Sequence, residues 1–137
     1  MIKRNFEDIK IGEKTTFSKT ITETDVFAFA GICGDFNPLH VDKEFAKKSM
    51  FKGRIAHGML SASLLCNTVS EILGLGGVHI SQSVRFKAPV KLGDTITAES
   101  EVTDLKPEKK RIIAKSTLTN QDAVVVLTGE AECMLPG

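Results

Sequence analysis

His57-Gly58-Met59-Leu60-Ser61-Ala62-Ser63-Leu64-Leu65-Cys66-Asn67-Thr68-Val69-Ser70-Glu71-Ile72-Leu73 is the stretch whose reading decides the fold. Met59, Leu60, Ala62, Leu64, Leu65, Val69, Ile72 and Leu73 leave scarcely any wide polar face. A helix that is apolar nearly all round needs cover on several sides. The expectation is one long central helix over 57–73, enclosed by whatever the rest of the chain supplies.

The downstream half supplies strands. Segments 78–87, 94–103, 110–120 and 123–134 read as extended, separated by Pro89 and Gly93, by Lys106-Pro107-Glu108 and by Asn120-Gln121-Asp122. Ile96, Ala98, Ser100 and Val102 alternate with Thr97, Glu99 and Glu101, and the pattern recurs at Ile112, Ala114, Ser116 and Leu118. Period two marks strands with one buried face, and short links between them imply an antiparallel sheet. The simplest packing is an α+β domain spanning 1–137, with a curled antiparallel sheet wrapped around the central helix. A second layer or a partner subunit must cover what the sheet leaves open.

Upstream, residues 14–21 read as a first strand. Thr22 is placed to cap a helix, with Asp25 three residues on, and Val26, Phe29, Ala30 and Cys33 follow at helical spacing. Gly34 suits the helix stop, and Pro38 pushes Asn37 toward an extended conformation. Gly34-Asp35-Phe36-Asn37-Pro38-Leu39-His40 is therefore expected as a turn and not a helix face. Asp42 is placed to cap a short helix through about Lys48.

Composition narrows the partners. Eighteen Lys plus Arg against 17 Asp plus Glu give a net charge of +1, so charge offers no case for nucleic acid or an anionic membrane. No stretch reaches the apolar length of a membrane span, and Met1–Asp8 lacks an apolar signal core, so a cytoplasmic location is expected. Cys33, Cys66 and Cys133 are odd in number and far apart, and read as thiols buried as small hydrophobes. His40, His57 and His79 lack metal-ligand spacing, and no metal is expected.

The chemistry concentrates at the turn and the helix start. Asp35 and His40 could share one proton, since imidazole cycles near neutrality and a carboxylate just past a helix carboxyl end sits in the negative field of its dipole. Equally, Asp35 caps the turn and His40 is a structural group. Asn37 could hold a water or simply shape the turn. Gly58, in the first turn of the central helix, has an N–H without an intrahelical acceptor, suited to charge developing on a thioester oxygen, while its small size also eases the chain into the helix. Ser63 shares a face with Met59 and offers a hydroxyl or packs.

Three groups of residues now combine: Phe29 through Asp42, Ile55-Ala56-His57-Gly58-Met59-Leu60-Ser61-Ala62-Ser63, and the later Val84-Arg85-Phe86-Lys87-Ala88-Pro89-Val90 with Gly93-Asp94-Thr95. Together they resemble the MaoC-like (R)-specific enoyl-CoA hydratases, a family with the hot-dog fold. The resemblance implies that Asp35 and His40 bind and activate water, that Asn37 organises the site and that Gly58 supplies a backbone oxyanion donor. It places Ser63, Met59, Ala56 and His57 along the substrate. It implies reversible (R)-specific hydration of a trans-2-enoyl-CoA, without cofactor or metal, in a homodimer. The alternatives are an (R)-3-hydroxyacyl-ACP dehydratase of fatty acid synthesis, a hot-dog thioesterase and a noncatalytic acyl-thioester binding module. Bulky Met59, Leu60 and Leu64 suggest short to medium acyl chains.

Overall fold

The computed structural model describes residues 1–135, so the last two residues of the expected 1–137 domain lie outside it. Strand β1 (Lys14–Thr20) is followed by five helices: α1 (Glu23–Cys33), α2 (Pro38–Val41), α3 (Lys43–Lys48), α4 (Gly58–Ser63) and α5 (Leu65–Leu73). Strands β2 (Val78–Phe86), β3 (Thr95–Lys106), β4 (Arg111–Thr119) and β5 (Val125–Met134) complete the chain. All five strands form one antiparallel sheet in the order β1-β3-β4-β5-β2. The helical segment packs against it, the arrangement expected of a hot-dog fold.

The sheet register carries out the alternation in the sequence. Ala98 opposes Leu118, Ser100 opposes Ser116 and Val102 opposes Ala114, and these six residues are all buried. From the helix, Leu65, Val69, Ile72 and Leu73 meet this face, with α5 seated on β1 and β3. Each fully buried Leu, Ile or Val is worth about 1.5–3 kcal/mol relative to exposure, which is what holds the helix inside the sheet. Three hydroxyls cross the apolar interface: Thr68 Oγ1 lies 2.7 Å from Ser100 Oγ, which lies 2.7 Å from Ser116 Oγ. Thr68 also donates to the Leu65 carbonyl, so the chain of hydroxyls ends on the helix backbone.

The central helix is not one continuous rod. Leu64 keeps helical dihedrals (φ −65°, ψ −21°), but its N–H bonds to Ser61 O three residues back, a local tightening that divides α4 from α5. A second difference from the sequence reading lies at the turn. Pro38–Val41 is a one-turn helix, so His40 sits on helical backbone. Pro38 does hold Asn37 off helical backbone (ψ 129°), as expected, but Pro in a first turn also pre-sets helical φ and forfeits only an N–H that has no partner, so one helical turn follows.

The link from β2 to β3 fixes the entrance to α4. It carries the chain from one edge of the sheet back to β3, and on the way Val90 O accepts the Ala56 N–H at 2.8 Å and Lys91 bridges Ile55. Ile55 and Ala56, just before α4, are thereby tied to the β2–β3 link.

Candidate active site

Thr22 and Gly34 bracket α1 as their chemistry requires. Thr22 Oγ1 accepts the Asp25 N–H and Asp25 accepts the Thr22 N–H, while Gly34 closes the helix at φ +80°, a conformation that costs glycine nothing. Immediately beyond, Asp35 Oδ1 accepts the Asn37 N–H at 3.0 Å and Asn37 Oδ1 accepts the Leu39 N–H at 3.0 Å. Asn37 is thus the cap of α2. It orients the turn that carries His40, and it does not line the cavity described next.

That cavity, ≈ 270 Å³, brings together Asp35, His40, His57, Gly58 and Met59 with Phe29, Cys33 and Phe86. His40 is buried and Asp35 is exposed. His40 Nδ1 lies 2.7 Å from the Ile55 carbonyl, and a carbonyl only accepts, so Nδ1 carries the proton. In the neutral ring the other nitrogen, Nε2, then holds a bare lone pair. It stands 3.8 Å from Asp35 Oδ2, too far for a direct hydrogen bond but close enough for one water to touch both.

His57 is the structural partner of this pair. Its Nε2 donates to the Asp35 backbone carbonyl at 2.9 Å, and its ring stacks on His40 with centroids 3.8 Å apart. Phe29 closes the other side of His57 at 5.0 Å. The lack of ligand-like spacing in the sequence misses this convergence. Asp35, His40 and His57 offer ligand atoms within 4.8 Å of one another. The donor set nevertheless suits a metal poorly: the two rings lie stacked in planes only 27° apart, so the in-plane lone pairs of their free nitrogens run side by side and do not aim at one point. The leftover His57 Nδ1 is buried without a partner among the described residues. His79 lies apart, on Gln82 Oε1 at 2.9 Å.

Gly58 begins α4 with its N–H free of any intrahelical acceptor. A Cβ there would come 2.6 Å from the Phe86 ring, so any larger residue would have to displace that exposed ring. Ser63 and Met59 line an adjoining, mainly apolar cavity of ≈ 360 Å³ with Phe29, Cys66 and Val84. Ala56 lines a third, which also touches Gly58. Leu60 and Leu64 line none of these three and belong to the core, so of the bulky trio only Met59 borders a cavity of this group.

The cysteine reading needs correcting. Cys133 is buried, and burial pushes its thiol up to about 11, but Cys33 and Cys66 are exposed and border the two adjoining cavities. Helical spacing placed Cys33 on the buried stripe of α1, but in the last turn that stripe faces the cavity. Phe29, Phe86 and Ser61 were also missed as site residues. Phe86 comes from β2 and has no local signal, and Ser61 sits between the apolar Met59-Leu60 and Ala62.

The profile described as the MaoC like domain matches residues 6–125. An (R)-specific enoyl-CoA hydratase from Rhodospirillum rubrum is 46% identical over 137 residues, covering 99% of this chain and 94% of the relative. The solved (R)-hydratase from Aeromonas caviae is 40% identical and superposes with a TM-score of 0.91, covering 95% of this chain and 99% of that one. A mitochondrial 3-hydroxyacyl-[acyl-carrier-protein] dehydratase of Arabidopsis thaliana is 34% identical over 93% of this chain and 78% of its own length. Matches that run along nearly the whole chain, in sequence and in fold, are not made by a shared motif alone: this chain belongs to the MaoC-like domain family.

Proposed function

We propose that the protein is a reversible (R)-specific enoyl-CoA hydratase, adding water to a trans-2-enoyl thioester to give the (R)-3-hydroxyacyl thioester. The observation that carries this reading is the pair of acceptors facing each other across 3.8 Å, Asp35 Oδ2 and the bare Nε2 of His40. A substrate water between them donates one O–H to each and is left with its lone pairs free to attack. The thioester carbonyl rests on the Gly58 N–H, which stabilises the oxygen as the C2=C3 pair shifts toward it. One water proton passes to the Asp35–His40 pair as the C3–O bond forms, and a proton from that pair reaches C2 as the enolate collapses. Asn37 caps the turn that holds His40, and His57 fixes both Asp35 and the His40 ring. Met59 and Ser63 flank the acyl group, and Ala56 lies on the other side of Gly58.

In this reading the working form is a cytoplasmic homodimer acting on short to medium acyl chains. What supports the dimer is β2. It is an edge strand of nine residues that displays Val78, Ile80 and Phe86 to solvent, an invitation to pair that monomeric proteins normally block.

Loss of the enoyl-thioester absorbance of crotonyl-CoA, followed by chiral analysis of the product, tests the reaction. The (R) alcohol is expected, with kcat/KM higher for C4–C6 enoyl-CoAs than for C12. An (S) product overturns the stereochemistry, and release of free thiol points to a thioesterase. A matched crotonyl-carrier-protein substrate turned over faster than the CoA ester favours the dehydratase of fatty acid synthesis.

A further inference from the structure

Two cavities meet at Gly58. The Asp35–His40 cavity lies on one side, and on the other lies a cavity of ≈ 310 Å³ that shares with it only Gly58 and Phe86. Phe51, Ala56, Val90 and Val126 line the second cavity, and so does Ser61. Ser61 is 2% exposed, and its hydroxyl has no hydrogen-bond partner among the described residues. The other buried hydroxyls, on Thr68, Ser100 and Ser116, are all joined in one chain. A helical serine can also bond back to the preceding turn, as Ser63 does to Leu60 O at 2.6 Å, but Ser61 does not. A buried polar atom held unpaired beside a cavity points to a partner that arrives with the ligand.

We propose that this second cavity receives the sulfur side of the thioester, and that Ser61 Oγ hydrogen-bonds the first amide of the carrier's pantetheine arm. The inference rests on the hydratase reading above, which puts the thioester carbonyl on the Gly58 N–H. A carbonyl carbon in that position has two substituents and they leave in different directions. C2 and C3 must lie beside Asp35 and His40, so the acyl tail continues past Phe29 and Met59 into the adjoining apolar cavity. The sulfur leaves on the other side of Gly58, where the Ser61 cavity is the one that touches it among the described residues. The two methylenes after sulfur match the apolar wall of Phe51, Phe86 and Val126. The amide that follows them meets a hydroxyl able either to donate to its carbonyl or to accept from its N–H.

The test compares two small crotonyl thioesters, S-ethyl thiocrotonate and crotonyl-N-acetylcysteamine, which differ by the amide, together with crotonyl-CoA. In the wild-type enzyme the amide-bearing substrates have the higher kcat/KM. In Ser61→Ala that advantage shrinks about five-fold, the scale of one neutral hydrogen bond, with the change carried mainly by KM. The Tm of Ser61→Ala stays at or above that of wild type, because the hydroxyl removed bonds to nothing in the free protein. An unchanged ratio between the two small thioesters overturns the role of Ser61 while leaving the hydratase reading intact. A wild-type enzyme that hydrates none of the three overturns both.

Discussion

Each imidazole of the site is pinned by a backbone carbonyl, so its chemistry is that of the nitrogen left over. For His40 this is Nε2, facing Asp35, and for His57 it is a buried Nδ1. Asp35→Asn and His40→Ala are therefore expected to lower kcat by about 10²–10⁴-fold with an unchanged far-UV circular dichroism spectrum. Near-normal turnover by folded Asp35→Asn protein would remove the pair from the mechanism. Asn37→Ala, by contrast, loses the cap of α2, so a smaller loss of kcat should accompany a measurable fall in Tm. The acid and imidazole were legible because they lie within six consecutive residues, Asp35 in the turn and His40 in the short helix that follows. The His57 link to the Asp35 carbonyl spans 22 residues and the Phe86 approach comes from another element, so neither leaves a local signature.

At the scale of elements, caps and alternation were legible because their causes lie within a few residues. Thr22 and Gly34 act where hydrogen bonding and φ demand, and the inward residues of β3 and β4 from Ile96 to Leu118 are the buried ones. The tightening at Leu64 was not legible, since it depends on how α4 and α5 meet their surroundings. Nor was the fastening of the N-terminal segment. Arg4 pairs with Glu13 and donates to Ile72 O at 2.9 Å, binding the start of the chain to the end of α5. The hydrogen bond from Arg4 holds the Glu13 carboxyl below its ordinary 4.5. A depressed folded-state value means the stabilisation is present above pH 4.5 and is lost as pH falls through the lower, folded value. Urea unfolding across pH should accordingly show Glu13→Gln less stable than wild type at neutral pH, with the gap closing as pH falls from 4.5 through the lower, folded-state value. A gap of constant size would deny the ion pair its role.

At the scale of the whole molecule, β2 is one of the two edges of the sheet and displays Val78, Ile80 and Phe86 to solvent. Sedimentation should give twice the monomer mass, and Ile80→Lys, which sets a charge on the free β2 strand, should shift the protein toward monomer. Because Val84 of the same strand borders the Met59 cavity, that variant should also raise KM for longer enoyl chains. A wild-type monomer with full activity would make the open edge incidental. At the opposite side of the central helix the situation is reversed, for there the Thr68–Ser100–Ser116 relay leaves no freedom of register. Sliding the helix by one residue would break the Thr68–Ser100 bond and carry Leu65, Val69 and Ile72 out of the seats they fill against the sheet. Descendants of this protein that come to accept larger substrates must therefore do so by exchanging side chains on the outer wall, at Met59, Cys66 or Val84, because the helix itself has only one seat.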